Sequence, residues 1–337
     1  MEIKQNYSLE KHNTFRLPVK ARWFLEYDTE EDIVTALRDE YFMECYKIHI
    51  GAGSNLLFLN DFNGIILHSR IKDITVISEN EESVCLKVGS GVIWDELVQY
   101  AVSHGWGGIE NLSHIPGEVG AAAIQNIGAY GVEVKDVIDS VEGYHIPTLE
   151  KQVFSKAECQ YAYRSSIFKT EYADQYIIAY VNIRLSKKPL FSLSYGNLKD
   201  ELAKYPEISL QTIRDAIIAI RSKKLPDPEQ IGNAGSFFMN PVVTEEEFQE
   251  LKNKFPDIPS YPASDNKVKV PAAWLIEQCG FKGQAYGQAG VYDKQALVLV
   301  NLGNADGNEI ALLADIIIQT VEVRFGIRLR PEVKYIC

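Results

Sequence analysis

No apolar run in this sequence approaches the roughly 18 residues that a membrane-spanning helix needs, so we expect no membrane span. Lysine and arginine (34 residues) are outnumbered by aspartate and glutamate (46 residues), which gives a net charge of −12. This balance excludes the broad basic face of a nucleic-acid-binding protein. An anionic ligand must therefore be held by a few local arginine and lysine side chains.

Cysteine is scarce and scattered, with five residues at positions 45, 85, 159, 279 and 337. An odd number of cysteines at wide spacing indicates neither a disulfide framework nor a CxxC metal site, so we expect reduced thiols and no metal. The first residues, MEIKQNYSLEKHNTF, lack the basic region and the apolar region of a signal peptide. We therefore expect a cytoplasmic protein.

Helix and strand patterns recur along the 337 residues, a length typical of two or three domains. Helical spacing of apolar residues, capping boxes and helix-starting prolines predict helices over residues 29–42, 94–102, 211–222, 245–251, 271–279 and 308–325. Short apolar runs predict strands over residues 48–50, 56–59, 64–67, 74–77, 84–88, 137–143, 176–185 and 297–300.

A small-residue turn, GAGSN at residues 51–55, follows the first of these strands. It is similar to the start of a dinucleotide fingerprint, but the third glycine is missing and no helix separates the strands at 56–59 and 64–67. A Rossmann site needs a helix directly after its glycines, so we reject that interpretation. Two interpretations stay open: a nest of backbone N–H groups that binds a phosphate, or a plain strand–turn–strand hairpin.

Residues 115–131, IPGEVGAAAIQNIGAYG, hold four glycines and three successive alanines. Such a stretch suits the close approach of a backbone to a large flat ligand, such as a cofactor ring or a pyrophosphate. The alternative is a tightly packed Ala/Gly helix contact. We favour the ligand, because so many glycines otherwise cost backbone entropy without a gain.

Three polar side chains stand in contexts that allow chemistry. Arg164 lies among tyrosines, where it either pairs with a structural carboxylate or binds a carboxylate of a ligand. Ser236 lies in residues 224–241, KLPDPEQIGNAGSFFMNP, on a predicted glycine-rich turn before two phenylalanines; the alternative there is a surface turn that leads into a buried strand. Glu332 either has a chemical role or pairs with Lys334 or Arg330.

Together these motifs resemble the UDP-N-acetylenolpyruvoylglucosamine reductase family. The resemblance covers essentially the whole chain, and its specificity lies in the order and spacing of the motifs, which are HNTF at 12–15, the turn at 51–57, residues 115–131, YR at 163–164 with SIF at 166–168, residues 224–241 and residues 330–336. SYGNL at 194–198 resembles the extra tyrosine loop of the longer family type, which implies Tyr195 as a lid residue.

The resemblance implies an α+β fold, with a two-part FAD-binding domain of the vanillyl-alcohol-oxidase type and a C-terminal α+β substrate-binding domain. It implies FAD-binding parts over residues 1–72 and 73–222, with the lid loop near 190–200 in the second part. Residues 223–325 would bind the substrate, and residues 326–337 would return to the first part. We expect a monomer.

The resemblance also implies the activity, which is NADPH-dependent reduction of UDP-N-acetylglucosamine enolpyruvate to UDP-N-acetylmuramate through non-covalent FAD, in peptidoglycan precursor synthesis. Arg164 would bind the enolpyruvyl carboxylate and Glu332 would polarise it. Ser236 would donate the proton. Two alternatives are another FAD oxidoreductase of the same fold and a non-catalytic flavin or nucleotide-sugar binding protein. The motifs at 224–241 and at Glu332 speak against the first, because an oxidase needs no serine proton donor. The presence of all three side chains speaks against the second.

The binding residues follow from the same resemblance. FAD would contact both small-residue stretches, at Gly51, Ala52, Gly53, Ser54, Asn55, Leu56, Ile115, Pro116, Gly117, Gly120, Ala121, Ala122, Ile124, Gln125, Asn126, Gly128, Ala129, Tyr130 and Gly131. The nucleotide sugar would contact Tyr163, Tyr195, Lys224, Asn240, Tyr261, Lys282 and Gln295. Residues 118–123 depart in detail from the commonest family pattern, and Met239 stands where a basic residue is usual.

Overall fold

The computed structural model describes residues 1–263 and 266–337. Its strands, in chain order, are β1 (Glu2–Ser8), β2 (Lys20–Tyr27), β3 (Lys47–Ile50), β4 (Leu56–Phe58), β5 (Phe62–Ser69), β6 (Ile74–Glu79), β7 (Ser83–Gly89), β8 (Gly128–Ala129), β9 (Val132–Glu133), β10 (Ile138–His145), β11 (Lys151–Ser155), β12 (Tyr176–Ser186), β13 (Gly232–Ser236), β14 (Val242–Thr244), β15 (Tyr261–Pro262), β16 (Lys267–Lys269), β17 (Ala285–Tyr286), β18 (Ala289–Val291), β19 (Val298–Asn301) and β20 (Lys334–Ile336).

The α-helices of the described chain are α1 (Glu30–Arg38), α2 (Glu40–Met43), α3 (Trp94–Ser103), α4 (Val119–Gln125), α5 (Leu198–Leu202), α6 (Leu210–Lys224), α7 (Glu245–Lys254), α8 (Ala272–Gln278) and α9 (Gly307–Phe325). Short 3-10 helices cover Glu10–His12, Glu110–Leu112, Val134–Asp136 and Ile167–Lys169. The mixed content of helices and strands, with mainly antiparallel pairing, agrees with the expected α+β class. No helix in the described residues is long and apolar enough to cross a membrane.

The chain divides into two compact units. Unit 1 comprises Met1–Tyr7, Lys20–Gly53 and Asn63–Lys223, and unit 2 comprises Ser8–Val19, Ser54–Phe62 and Lys224–Cys337. The division into three domains inferred above stays a prediction.

Unit 1 is built on two larger sheets, with strand orders β1-β2-β5-β3 and β11-β10-β12-β7-β6. Helix α3 buries Trp94, Leu97, Val98, Ala101 and Val102 in the same apolar cluster as residues of β7, β10 and β12. The apolar residues that recur at helical spacing in the sequence thus form one buried face of α3. A second cluster joins α1 to β2 and β5.

Unit 2 contains the sheet β13-β19-β18-β17, the sheet β14-β16-β15 and the pair β20-β4. The long helix α9 packs on β18, β19 and α8, and it buries Ile310, Leu313, Ile317 and Val321. Gly326 ends it in a left-handed conformation (φ +71°), a backbone state that glycine adopts without steric cost.

Most of the predicted elements are confirmed, including the helices α3, α6 and α9, the strands β6 and β7, and a capping box, at Thr244 and Glu247, that begins α7. The single helix expected over residues 29–42 is wrong, because it breaks at Asp39. The carbonyl of Asp39 accepts the N–H groups of Phe42 and Met43 and starts a second helical turn. Phe42 is still buried, so the apolar pattern runs through the break.

The hairpin interpretation of residues 51–55 is also wrong. Strand β3 pairs in parallel with β5, and β4 pairs in parallel with β20, so the strands on either side of the turn do not pair with each other. The segment expected as a glycine-rich turn before Ser236 is strand β13, antiparallel to β19. Helix α6 extends to Lys224, two residues beyond the predicted end.

A buried asparagine shapes the loop of unit 2 that contains the HNTF motif. The Asn13 side chain donates to the carbonyls of Leu9 (2.8 Å) and Leu17 (3.1 Å) and accepts from Leu17 N–H (2.9 Å). The loop then contacts β13 and β19, because Thr14 O accepts from Asn233 N–H and Phe15 O accepts from Asn301 Nδ2. Asn13 is 3% exposed, so its three hydrogen bonds replace bonds to water.

We predict that Asn13→Ala lowers the free energy of unfolding by about 2–4 kcal/mol, because it removes three hydrogen bonds and leaves buried backbone groups unpaired. Equilibrium urea unfolding measures this change. The matched control is Lys11→Ala at an exposed neighbouring position, which we expect to change stability by less than about 0.5 kcal/mol. Equal effects of the two variants would contradict the structural role of Asn13.

Candidate active site

Arg164 lies at the tip of a tight turn in unit 1. Ala162 and Ser165 close the turn with two backbone hydrogen bonds of 3.0 Å, which leaves Tyr163 and Arg164 as its two central residues. The backbone of Arg164 is left-handed (φ +55°), a conformation that costs a non-glycine residue roughly 1–3 kcal/mol. Such a conformation persists only where the surrounding structure holds it.

Three side chains hold the turn against residues 115–131. Asn126 Nδ2 donates to Ala162 O (2.8 Å), and Ser166 Oγ donates to Ile124 O (2.7 Å). Lys169 Nζ donates to Arg164 O (3.1 Å) and contacts the Gln125 side chain. The backbone on both sides of Arg164 is therefore fixed.

The Arg164 guanidinium is oriented by the same glycine-rich stretch. Its Nη2 donates to Gly128 O (2.5 Å), its Nη1 donates to Asn126 O (3.4 Å), and its Cζ lies 5.3 Å from the centroid of the Tyr163 ring. A Cβ on Gly128 would lie 2.8 Å from Arg164 Nη1, so only glycine fits there without displacing the arginine. The geometry presents a rigid planar donor that suits a carboxylate.

The two small-residue stretches meet within unit 1. A Cβ on Gly51 would lie 3.1 Å from Ala121 Cβ, and a Cβ on Gly120 would lie 2.7 Å from Ser90 Cβ. Residues 119–125 form helix α4, so the packed Ala/Gly helix contact is real for Gly120. Gly51, Ala52 and Ala121 are only half-buried. These segments fit a flavin dinucleotide. On both sides of the contact, residues with very small side chains or none are partly exposed, so a ligand can approach their backbone closely.

The predicted lid residue lies beside the end of residues 115–131. Tyr195 is 44% exposed, and its ring stands edge-on to that of Tyr130 at 6.4 Å. A buried asparagine connects the two segments: Asn111 Nδ2 donates to Tyr130 O (2.9 Å) and to Ser192 O (2.8 Å). The sequence interpretation missed Asn111, because no local pattern links positions 81 residues apart.

Ser236 lies in unit 2 at the end of β13. The register of β13 against β19 shifts between Asn233 and Ser236, where Gly235 is left-handed (φ +65°) and donates its N–H to Asn233 Oδ1 (2.9 Å). An irregularity of this kind redirects a side chain at a strand end. Ser236 is consequently exposed, whereas Phe237 and Phe238 directly after it are buried.

Glu332 lies on the segment adjacent to Ser236. Its N–H donates to Phe237 O (2.8 Å), and Met239 N–H donates to Arg330 O (3.0 Å). Asn55 Nδ2 donates to Glu332 O (3.1 Å). Unit 2 thus brings together three stretches that are far apart in sequence.

The other expected substrate residues of unit 2 are distributed over several secondary-structure elements. Asn240 Oδ1 accepts from Ala272 N–H (2.9 Å) at the start of α8, and Lys282 pairs with Glu277 on the same helix (2.9 Å). Gln295 precedes β19 and accepts from Leu297 N–H (3.4 Å). Lys224 is exposed at the end of α6.

Tyr261 lines an open cavity of about 650 Å³ together with residues of α7. Lys224, Asn240, Lys282 and Gln295 are not among the described residues that line this cavity. The cavity therefore does not unite the expected substrate residues.

A partly buried ion pair joins α3 to α6 in unit 1, and the sequence analysis did not predict it. Arg214 donates to both oxygens of Asp95 (2.6 and 2.8 Å), and Arg214 is 7% exposed. Burial alone would raise the pKa of Asp95, but the hydrogen bonds from Arg214 and from His114 N–H outweigh burial and lower it. The pair positions the chain that leads into residues 115–131.

Two family models match this chain. Residues 227–336 match "UDP-N-acetylenolpyruvoylglucosamine reductase, C-terminal domain", and residues 21–148 match "FAD binding domain". A UDP-N-acetylenolpyruvoylglucosamine reductase from Porphyromonas gingivalis is 52% identical over 337 residues, with 100% of each chain covered. One from Bacteroides fragilis is 49% identical, covering 99% of this chain and 100% of its own. The chain belongs to the UDP-N-acetylenolpyruvoylglucosamine reductase family.

The fold agrees with a solved structure of the same name. The crystal structure of UDP-N-acetylenolpyruvylglucosamine reductase from Thermus caldophilus superposes with a TM-score of 0.69 at 22% identity, covering 99% of this chain and 98% of the other. The expected α+β class, with an FAD-binding domain and a reductase C-terminal domain, is confirmed. As a family member the chain is an FAD-dependent oxidoreductase, and the assignment supports NADPH as its reductant.

We predict that Gly120→Ala reduces the FAD retained by the purified protein by roughly tenfold, because overpacking of about 1–3 kcal/mol moves α4 away from Ser90. The ratio of flavin absorbance to protein after exhaustive dialysis measures retention. The matched test is the double variant Gly120→Ala with Ser90→Gly, which removes the clashing atom and should recover part of the loss. A wild-type ratio in Gly120→Ala alone would contradict this role of the contact.

Proposed function

We propose that this chain reduces the enolpyruvyl ether of UDP-N-acetylglucosamine enolpyruvate to UDP-N-acetylmuramate in the cytoplasm, as a step in peptidoglycan precursor synthesis. FAD is the bound cofactor and NADPH is the hydride donor. The single observation that carries the proposal is the backbone hydrogen bond from Glu332 N–H to Phe237 O, which holds Glu332 on the segment next to Ser236. The curated relatives of the same name support the choice of substrate.

The reaction adds one hydride and one proton across the vinyl double bond of the substrate. FAD, when bound, supplies the hydride that NADPH delivers to it. The chain must then stabilise the negative charge that develops beside the substrate carboxylate and deliver a proton to the same carbon.

Arg164 binds the substrate carboxylate in this proposal. Its guanidinium is fixed by two backbone carbonyls and by the closed turn at Ala162 and Ser165, so little conformational entropy is lost on binding. A fixed fork of donors stabilises charge that spreads into a carboxylate better than a flexible cation does.

Ser236 delivers the proton, and Glu332 polarises the substrate carboxylate. The irregular strand end exposes the Ser236 hydroxyl while Phe237 and Phe238 remain buried behind it. A serine hydroxyl is a weak acid, so its contribution depends on placement beside the carbon that receives the proton.

The proposed nucleotide-sugar contacts are Tyr163, Tyr195, Lys224, Asn240, Tyr261, Lys282 and Gln295. Asn240 and Lys282 are joined to the two ends of α8, which supports a common role for them. Lys224, which is exposed, and Lys282, which is half-buried, provide local positive charge for a diphosphate on a chain of net charge −12.

We predict that Ser236→Ala still allows NADPH to bleach the flavin band but lowers substrate reduction by about 100-fold or more, because the proton donor is lost. An anaerobic two-step spectrum measures this: NADPH bleaches the band, and the enolpyruvyl nucleotide sugar then restores it. Ser103→Ala, at an exposed helix position, is the control and should behave as wild type. Wild-type recovery of the band in Ser236→Ala would remove Ser236 from its role.

We predict that Arg164→Lys lowers kcat/KM by about 10- to 100-fold, because an ammonium cannot replace a planar fork that donates to a carboxylate. Steady-state kinetics with the nucleotide sugar measure the loss. The matched control is Arg184→Lys, an exposed arginine that donates twice to Asp139. Equal activities of the two variants would make Arg164 a structural residue.

A further inference from the structure

One histidine of unit 1 lies between two carboxylates. His68 Nε2 is 2.9 Å from Glu118 Oε1, and His68 Nδ1 is 3.1 Å from Glu26 Oε1. The three side chains are 12%, 8% and 13% exposed, in the order His68, Glu118 and Glu26. None of the three belongs to the reaction proposed above.

This geometry specifies the protonation state of the histidine. A carboxylate accepts hydrogen bonds, and only the imidazolium form of histidine donates from both ring nitrogens. Burial alone would lower the pKa of His68, but the hydrogen bonds and charges of Glu118 and Glu26 outweigh burial and raise it above its usual value. The bridge is therefore complete while His68 is protonated and both carboxylates are ionised, and it loses one hydrogen bond as the pH rises through the raised pKa of His68.

The neighbouring charged groups leave this assignment intact. Lys4 and Arg70 contact Glu26 on its other oxygen, at 3.4 and 3.7 Å. Burial lowers the pKa of His49 to about 3, so this second histidine, which is bonded to Tyr27 OH, stays neutral. The proton of the cluster accordingly resides on His68.

The bridge ends on the predicted flavin-binding segments. His68 pairs in register with Ile50, the residue before Gly51, and Glu118 directly precedes α4. While Glu118 Oε1 faces His68, its Oε2 lies 3.3 Å from the position that a Cβ on Gly51 would occupy. The Glu118 carboxylate thus lies between His68 and Gly51, where the two small-residue stretches meet.

We propose that the His68 imidazolium is a positioning residue for FAD: it neutralises and fixes Glu118, and through Glu118 it holds Gly51 against the start of α4. This inference rests on the proposed contacts of FAD with both stretches. A deprotonated His68 would leave Glu118 as an unneutralised buried anion beside the segments that approach the anionic cofactor, so FAD would be held less tightly.

The experiment follows FAD release from the holoenzyme after dilution, by the rise in flavin fluorescence, between about pH 6 and about pH 9. For the wild type we expect release about tenfold faster at the alkaline end. For His68→Gln we expect fast release with no such pH dependence. The double variant His68→Gln with Glu118→Gln places two neutral amides together and should recover slow, pH-independent release.

His104→Gln, at an exposed histidine of the same unit, should keep the wild-type profile, and thermal unfolding of each holoenzyme verifies that the variants are folded. A flat wild-type profile, or a wild-type profile in His68→Gln, would overturn the inference.

Gly51→Val separates this inference from the proposed cofactor contacts. If Gly51→Val releases FAD quickly and His68→Gln does not, only the inference on His68 falls. If Gly51→Val retains FAD like the wild type, the placement of FAD falls, and the inference falls with it.

Discussion

The hydrogen bonding of the last residues of the chain is the constraint on which the proposed proton-donor site depends. Residues 330–336 run beside two other stretches of unit 2: Glu332 N–H bonds to Phe237 O on one side, and β20 pairs with β4 on the other. Backbone hydrogen bonds fix position to a fraction of an ångström, which a flexible terminal segment could not offer to a catalytic carboxylate. In the proposed reaction, the irregular end of β13 can act as a proton-donor site because Glu332 is held next to it.

Both units fix their irregular segments in the same way, with buried asparagines. Asn13, Asn111, Asn126, Asn233 and Asn301 are each at most 7% exposed, and each bonds through its side chain to backbone groups of a loop. An amide carries both donors and an acceptor, so it can replace the partners that a helix or a sheet would supply. Each such hydrogen bond contributes about 1 kcal/mol net to stability. Several of them together offset the conformational cost of a strained backbone such as that of Arg164.

The sequence predicts those parts of the fold in which buried apolar residues recur with a regular period. Helices α3, α6 and α9 follow from their apolar faces, and the motifs identified the family correctly. It did not predict the break at Asp39 or the strand β13, because both depend on which groups the backbone finds as partners in the folded chain. Asp95 and Arg214 are 119 residues apart, and His68 and Glu118 are 50 apart, so no local pattern indicates either pair. The proposed site residues come from the family motifs that contain them and stay predictions, whereas His68, Asp95 and Arg214 lie outside those motifs.

The free-energy contribution of each ion pair distinguishes cations that stabilise the fold from cations that are able to bind a ligand. Arg214 is buried and donates to both oxygens of Asp95, and removing Asp95 would leave the buried arginine charge unpaired at a cost of roughly 3–5 kcal/mol, so this arginine serves the fold. Lys282 pairs with Glu277 at the surface, where the two side chains are 34% and 50% exposed and a pair contributes at most about 1 kcal/mol. Lys282 can therefore release Glu277 and bind a diphosphate instead at little cost in free energy. On a chain of net charge −12, a weakly held surface lysine remains available to an anionic substrate, which is why the observed pairing of Lys282 is compatible with its proposed role.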